Sequence, residues 1–433
     1  MKHFSIRFAV LVGALGILSP LSRAEPTIEE MEGKLLELQN RMAEMQTQMA
    51  ALQTQLAAMQ EPKAEDFAAK TSAPPVSPVP TTTPTTAPAS TSKYSLKFYG
   101  KIKVDGIYDT NSMGSDEFIL FVPQTADGQS QATFTARETR LGFNIGGPTF
   151  GDWKTTAKLE SDFYGSAISG GSGSLRIRLA YIDMTNGQTA VRVGQDWLPV
   201  STLNPATTNF TIMGYNGNLW NRVPQVTVRQ KFSENVTGLV SAYRFRDTDD
   251  TENDLDVDLL MPWVAAGLRF HGDPFGTGQT ASVAVQGAFR NGEVEGESVT
   301  PSLVSAEFVL PWQTVSLKGE VYYGKGLGAE YLHRGGAFNL NGEPIQTSGG
   351  FIQFGIRAAK PVRLNFGYGL DNPRDTDLVA DEFFRKSTYL FGNAYYDFTS
   401  DLSMVVEGTQ VKTTWSDGTK DGFRLQSSLI FVF

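Results

Sequence analysis

The run Leu429-Ile430-Phe431-Val432-Phe433 ends a stretch of period-two alternation on an aromatic residue, with no charged tail after it. In a soluble protein such an ending would be an exposed, sticky sheet edge. In a closed membrane β-barrel the last strand pairs with the first, and a terminal aromatic sits at the bilayer interface. The expected fold class is therefore an all-β membrane barrel, and the upstream sequence has to agree with it.

Working back from that end, alternation persists as far as Lys97 and gives about sixteen antiparallel strands, an even number as bacterial barrels require. They lie near residues 95–110, 133–147, 154–165, 174–185, 189–199, 223–232, 236–246 and 261–272, then 280–292, 301–311, 314–325, 350–360, 362–372, 386–398, 402–415 and 422–433. Short turns such as Thr185-Asn186-Gly187-Gln188, Ser233-Glu234-Asn235, Lys360-Pro361 and Thr399-Ser400-Asp401 alternate with long loops near 111–132, 200–222, 247–260, 327–349 and 373–385. Short periplasmic turns and long outer loops are the barrel pattern. Aromatics sort with it. Phe232, Phe270, Phe398 and Phe433, with Trp153 and Trp312 in turns, are expected to form the periplasmic girdle, and Tyr108, Phe245, Tyr323 and Tyr368 the opposite one.

The first 93 residues differ. Lys2 and Arg7, an apolar run from Phe8 to Leu18 and Ser22-Arg23-Ala24 read as a signal peptide over 1–24. No later segment approaches the roughly 20 apolar residues of a spanning helix, so a membrane protein here must be a barrel. A soluble periplasmic protein would share the signal. Over 25–60 the apolar residues Ile28, Met31, Leu35, Leu38, Met42, Met45, Met49, Leu52, Leu56 and Met59 step by three and four, an unbroken heptad seam. An α-helix of that length reaches roughly 48 Å and needs a partner for its stripe. A self-associating periplasmic coiled coil is expected, followed by a Pro/Thr-rich extended linker at 61–93 and the barrel at 94–433.

Net charge is −9, and loss of Lys2, Arg7 and Arg23 with the signal leaves about −12, which argues against nucleic acid as a partner. There is no cysteine, which suits an oxidising compartment and removes thiolate chemistry. Three histidines, of which His3 leaves with the signal, make neither a Ser-His-acid arrangement nor a transition-metal site with His271 or His333. No enzyme activity, metal or cofactor is expected.

Parity assigns the lining. Leu96, Phe98, Ile102 and Val104 face lipid, which turns Lys97, Lys101, Lys103, Asp105 and Asp109 inward. Leu141, Phe143 and Ile145 do the same for Glu138, Arg140 and Asn144, with Arg137 out of phase, at a bulge or above the membrane. Leu175, Ile177 and Leu179 place Arg176 and Arg178 inside, and Val226 and Val228 place Gln225, Thr227, Arg229 and Lys231 there. The same rule brings in Lys158, Arg192, Arg244, Arg246, Arg269, Arg290, Lys318, Arg357, Arg363 and Arg424, against Glu160, Asp162, Asp196, Glu307, Glu320, Asp397 and Glu407. The balance is roughly eighteen basic to ten acidic positions. A lumen this polar is expected to hold water and, being cationic, to enrich anions, with arginines offering bidentate grips. Pairing of those arginines with neighbouring acids is the plainer alternative.

Outside the lumen the sign reverses. Asp247, Asp249, Asp250, Glu252, Asp254, Asp256 and Asp258 crowd one loop. The spacing lacks the glycine and terminal glutamate of a calcium loop, so a solvated acidic surface is expected. The uncharged stretch Ser201–Trp220 is the candidate for an inward-folded constriction.

The heptad segment followed by Lys97-Phe98-Tyr99-Gly100-Lys101-Ile102-Lys103-Val104-Asp105-Gly106-Ile107-Tyr108-Asp109 resembles the DcaP-like outer-membrane porin family. So do Phe121-Val122-Pro123, Ala136-Arg137-Glu138-Thr139-Arg140-Leu141-Gly142-Phe143, Leu175-Arg176-Ile177-Arg178, Val193-Gly194-Gln195-Asp196-Trp197 and Val223-Pro224-Gln225-Val226. Beyond residue 240 only general barrel character remains, so roughly half the chain carries the resemblance. It implies a homotrimeric, sixteen-stranded diffusion channel in the bacterial outer membrane, with its coiled coil in the periplasm. Its solutes would be small anions including dicarboxylates, and Lys101, Lys103, Arg140, Arg176, Arg178 and Arg229 would line the pore. Partners implied are further copies of the chain, outer-membrane lipid and, through Phe433, the barrel-assembly machinery. Phosphate-selective porins combine the same features, and a structural protein that spaces the envelope, with the barrel as anchor only, is the rival of another class.

Overall fold

The computed structural model describes residues 94–165, 173–245, 255, 257–259, 261–331, 336–374 and 384–433. The signal peptide, coiled coil, linker and most of the acidic loop lie outside these residues.

Alternation of apolar and polar residues produces twenty strands: β1 (Ser95–Asp109), β2 (Gln131–Thr135), β3 (Arg140–Phe150), β4 (Trp153–Asp162), β5 (Arg176–Thr185), β6 (Thr189–Trp197) and β7 (Arg222–Lys231). There follow β8 (Val236–Tyr243), β9 (Val257–Asp258), β10 (Trp263–Gly272), β11 (Ala281–Phe289), β12 (Gly292–Val294), β13 (Glu297–Val299) and β14 (Ser302–Trp312). The last are β15 (Val315–Lys325), β16 (Gln346–Ala359), β17 (Val362–Pro373), β18 (Lys386–Asp397), β19 (Leu402–Trp415) and β20 (Gly418–Val432). Strands β9, β12 and β13 form a small separate sheet at the long-loop end. The rest make a closed 16-strand antiparallel barrel, in which β2 and β3 count as one interrupted strand.

The interruption is a one-residue bulge at Arg137, the first of the two readings open from sequence. Thr139 donates its amide to Ala136, and its Oγ1 accepts the Lys103 amide at 3.3 Å. Arg137 turns inward to Glu117 at 3.1 Å. A second register shift, opposite Glu160 and Ser161, corrects the parity of Leu179, which is buried while Leu175 and Ile177 stay exposed. A bulge resets the phase of every side chain after it.

Closure runs through β1 and β20, with Lys101 opposite Val432 and Asp109 opposite Arg424. Gly100 and Phe433 exchange backbone hydrogen bonds of 2.9 and 3.1 Å, and the Phe433 ring lies 5.3 Å from that of Phe98. A Cβ on Gly100 would sit 2.4 Å from the Arg140 carbonyl and 2.6 Å from the Phe433 ring. Backbone cannot yield there. Gly100→Val is expected to reduce the folded, heat-modifiable fraction on a denaturing gel severely, and an unchanged fraction would show that the seam tolerates a side chain.

At the short-turn end Phe232, Phe270, Trp312, Phe398 and Phe433 are exposed as the girdle requires, and Phe150 stacks on Trp153. Tyr108, Tyr323 and Tyr368 are exposed near the opposite end, but Phe245 is not. It packs on Tyr331, ring centroids 5.0 Å apart, inside a cluster with Tyr243 and Trp263. The turn between β10 and β11 is longer than its neighbours. Asp273 closes it by accepting the amides of Gly278 at 2.6 Å and Thr277 at 3.0 Å, and these bonds hold its carboxyl below the usual range.

The expectation of a wholly wet lumen needs correcting. Inward residues near the long-loop end include Trp263, Leu303, Phe351, Phe391 and Val411, and loop residues pack on them in two apolar clusters. Loops that enter a barrel carry apolar side chains, and burying these against the wall is favourable at about 25 cal/mol per Å².

Candidate functional site

Residues between β6 and β7 leave the wall and fold into the barrel, as the neutral composition of Ser201–Trp220 suggested. Wall side chains grip the backbone of this loop. Glu307 on β14 accepts the Thr202 amide and hydroxyl, both at 2.7 Å, and Glu407 on β19 accepts the Thr208 amide at 2.8 Å. Glu320 on β15 takes the Leu219 amide, Gln286 that of Ser201 and Gln353 that of Ala206. Carbonyls are held in turn: Asn204 by Lys318, Ala206 by Asn393 and Thr208 by Lys103, at 2.7, 2.8 and 2.6 Å. Ser201, Ile212, Met213 and Tyr215 have positive φ. A left-handed β-branched Ile212 persists only where surrounding contacts dictate it. At Gly217 (φ 108°) a Cβ would lie 2.3 Å from the Gly350 carbonyl.

This anchoring changes the electrostatic balance. Glu307 and Glu407 are buried under the loop, their charge absorbed by amides, hydroxyls and, at Glu307, Arg269. They do not face a solute in the passage.

Of the residues assigned to the pore by sequence, Lys101, Lys103 and Arg140 meet on the inner face of β1 and β3 around Glu138. Arg176 and Arg178 on β5 share Asp162, at 2.9 and 3.0 Å, and Arg178 also reaches Glu160 at 2.8 Å. Arg192, Arg290, Arg363 and Arg424 pair with Asp183, Glu330, Asp397 and Asp109. Much of the basic excess is therefore neutralised within the wall, as the pairing alternative held. Arg229 is inward on β7, in phase with Thr227 and apart from the Arg178 group. Arg244 corrects the parity assignment: it follows β8 in the phase of lipid-facing Val240, while Tyr243 and Phe245 take the inner phase. Arg246 lies outside the described residues.

Sequence reasoning missed Arg222. Its phase matches lipid-facing Val226 and Val228, yet it begins β7 where the loop returns from the lumen. There it lies 5.3 Å from the Trp197 ring and 5.2 Å from the Trp220 ring. No described carboxylate pairs with it. The signal available in sequence was its position next to Trp220, at the end of the neutral loop.

Arg222 lines a cavity of about 100 Å³ with Lys101, Glu138, Arg140, Arg178, Phe210 and Tyr395, bounded on one side by loop residues Thr207–Phe210. Buried guanidinium nitrogens on three of its residues, Arg140 Nε, Arg178 Nη2 and Arg222 Nη1, have no hydrogen-bond partner among the described residues. Buried donors without acceptors are disfavoured by about 1–3 kcal/mol each, more when charged. Three of them on one cavity make it suited to an oxyanion.

A closed barrel with a polar lumen narrowed by an anchored inner loop defines the porin-like class. The sequence model of the DcaP outer membrane protein family matches residues 43–253, just under half of the chain, and in fold the barrel resembles those of DcaP and other porins. The crystal structure of the outer membrane channel DcaP of Acinetobacter baumannii is 22% identical and superposes with a TM-score of 0.67, covering 79% of this chain and 99% of that one. An anion-selective porin from Comamonas acidovorans gives 10% identity and a TM-score of 0.57 over 78% of this chain and 100% of its own. Salmonella typhi OmpF in complex with daunomycin gives 12% and 0.52, over 78% and 97%. At these identities the three likenesses show the fold. No curated protein matches the chain.

Proposed function

We propose that the protein is a passive, anion-selective diffusion channel of the bacterial outer membrane for small organic anions such as dicarboxylates, with no cofactor and no catalytic step. The observation that carries this reading is the gathering of Arg140, Arg178 and Arg222, each with a nitrogen unpartnered among the described residues, around one cavity beside the loop. Guanidinium groups stacked on aromatic rings keep donors aimed inward, and low-dielectric walls strengthen their field. Glu307 and Glu407 are turned into loop anchors, and Glu138 at the cavity is outnumbered by Lys101, Lys103 and Arg140. Residues 25–60 would assemble the chain through their heptad seam, as a trimer by analogy with porins, with 1–24 removed and 61–93 as spacer.

The test is the reversal potential of the purified protein in a planar bilayer under a salt gradient. An anion-selective sign is expected. A cation-selective sign would mean that the acidic outer loops govern permeation, and absence of conductance would favour the envelope-spacing role in which the barrel is only an anchor.

A further inference from the structure

A second cavity, of about 380 Å³, opens on the short-turn side of the constriction, lined by Ser95, Lys97, Asn144, Lys158, Tyr181 and Asp183 among others. Strand register explains its composition. Lys97 on β1 is opposite Asn144 on β3, Asn144 is opposite Lys158 on β4, and Lys158 is opposite Tyr181 on β5. Residues directly opposite one another in antiparallel strands share a face. Leu96, Phe98 and Leu159 on the other phase are exposed to lipid, so this belt of four lies on the lumenal face.

Two positive charges in that belt have no negative partner among the described residues. Among the described residues Lys97 makes no ion pair or side-chain hydrogen bond, and Lys158 has only the Tyr99 ring, 4.8 Å from its Nζ. Nearby carboxylates are already engaged. Asp183 is held by Arg192 in a two-bond fork, and Glu160 accepts from Arg178 and from the Tyr99 hydroxyl. With two strand spacings between them, the lysines start about 10 Å apart across the sheet. Their flexible stems let both ammonium groups reach one ion above the Asn144 amide.

We infer that Lys97, Lys158 and Asn144 form a second anion site below the constriction, specific for small dianions. This inference rests on the anion-channel reading and adds a second resting point to it. A dianion neutralises both ammonium groups, whereas a monoanion such as chloride leaves one unmatched. Dicarboxylates and hydrogen phosphate share the required chemistry.

The experiment is the concentration dependence of single-channel conductance in chloride, succinate and phosphate for the full chain and for the double variant Lys97→Gln, Lys158→Gln. Saturation in succinate and phosphate is expected to shift to about three- to tenfold higher concentration in the variant, as loss of two solvated charge contacts implies. Chloride conductance should fall by a smaller factor than the shift in dianion saturation, because one lost contact suffices for a monoanion, and the sign of the reversal potential should persist because Arg140, Arg178 and Arg222 are untouched. A shift in one dianion alone assigns the site to carboxylate or to phosphate. Unshifted saturation in both, with anion selectivity intact, overturns the site and leaves the channel reading standing. A cation-selective unmodified protein overturns both.

Discussion

Arg222→Leu is expected to lower the anion-to-cation permeability ratio by about two- to tenfold while leaving the barrel as stable as before. A unit charge close to the permeation path is worth about 1 kcal/mol in water-like surroundings and more beside a low-dielectric wall, and 1.4 kcal/mol is tenfold. Stability should hold because Arg222 has no described carboxylate partner. What is lost is the contact with the Trp197 and Trp220 rings, about 0.5–1 kcal/mol each at accessible sites, and a buried charge is removed in exchange. Arg178→Leu is the contrasting case. Arg178 is 1% exposed and pairs with Glu160 and with Asp162, which is fully buried. Removing one member of a buried pair leaves a stranded charge and typically destabilises by about 3–5 kcal/mol. Both variants should lose selectivity; only Arg178→Leu should also lower the temperature at which the folded band disappears on a gel. Equal selectivity in Arg222→Leu and the unmodified protein would remove Arg222 from the pore.

Glu407→Leu is expected to free the middle of the inner loop and raise single-channel conductance several-fold, with flickering between levels. Glu407 accepts the Thr207 hydroxyl, the Thr208 amide and the Asn393 amide, and no other described carboxylate bonds these groups. Each buried donor left without an acceptor is disfavoured by about 1–3 kcal/mol, so the segment gains by moving toward water. Glu407→Gln keeps one acceptor but sets its own amide against these donors, and its effect should be smaller and of the same sign. Solutes excluded from the unmodified protein should enter liposomes carrying Glu407→Leu. If conductance and size cut-off are unchanged, the loop does not limit the passage.

Strand count and phase were legible because a wall between lipid and a polar lumen imposes period two on almost every strand. Arg137 stood out for the same reason, since it breaks the alternation. Leu179, Phe245, Arg244 and Arg222 were misread or missed where that rule lapses. Leu179 follows a register shift, and the other three sit at strand ends, where loop packing sets side-chain direction. The count of inward charges was read correctly for most strands, but it did not show how many were already paired.

Sequence by itself determined a closed β-barrel, the inward identity of Lys101, Lys103, Arg140, Arg176 and Arg178, and the neutral segment that folds inside. Those features follow from local periodicity and composition, which one strand or one loop carries alone. Tertiary structure alone decided which cations remain uncompensated among the described residues, that Glu307, Glu320 and Glu407 hold the loop, and that Arg222 joins the cavity of Arg140 and Arg178. Each of these depends on which residues meet across the lumen. Those meetings join positions far apart in the chain, such as Thr207 and Glu407, 200 residues apart, and only closure of the barrel brings them together.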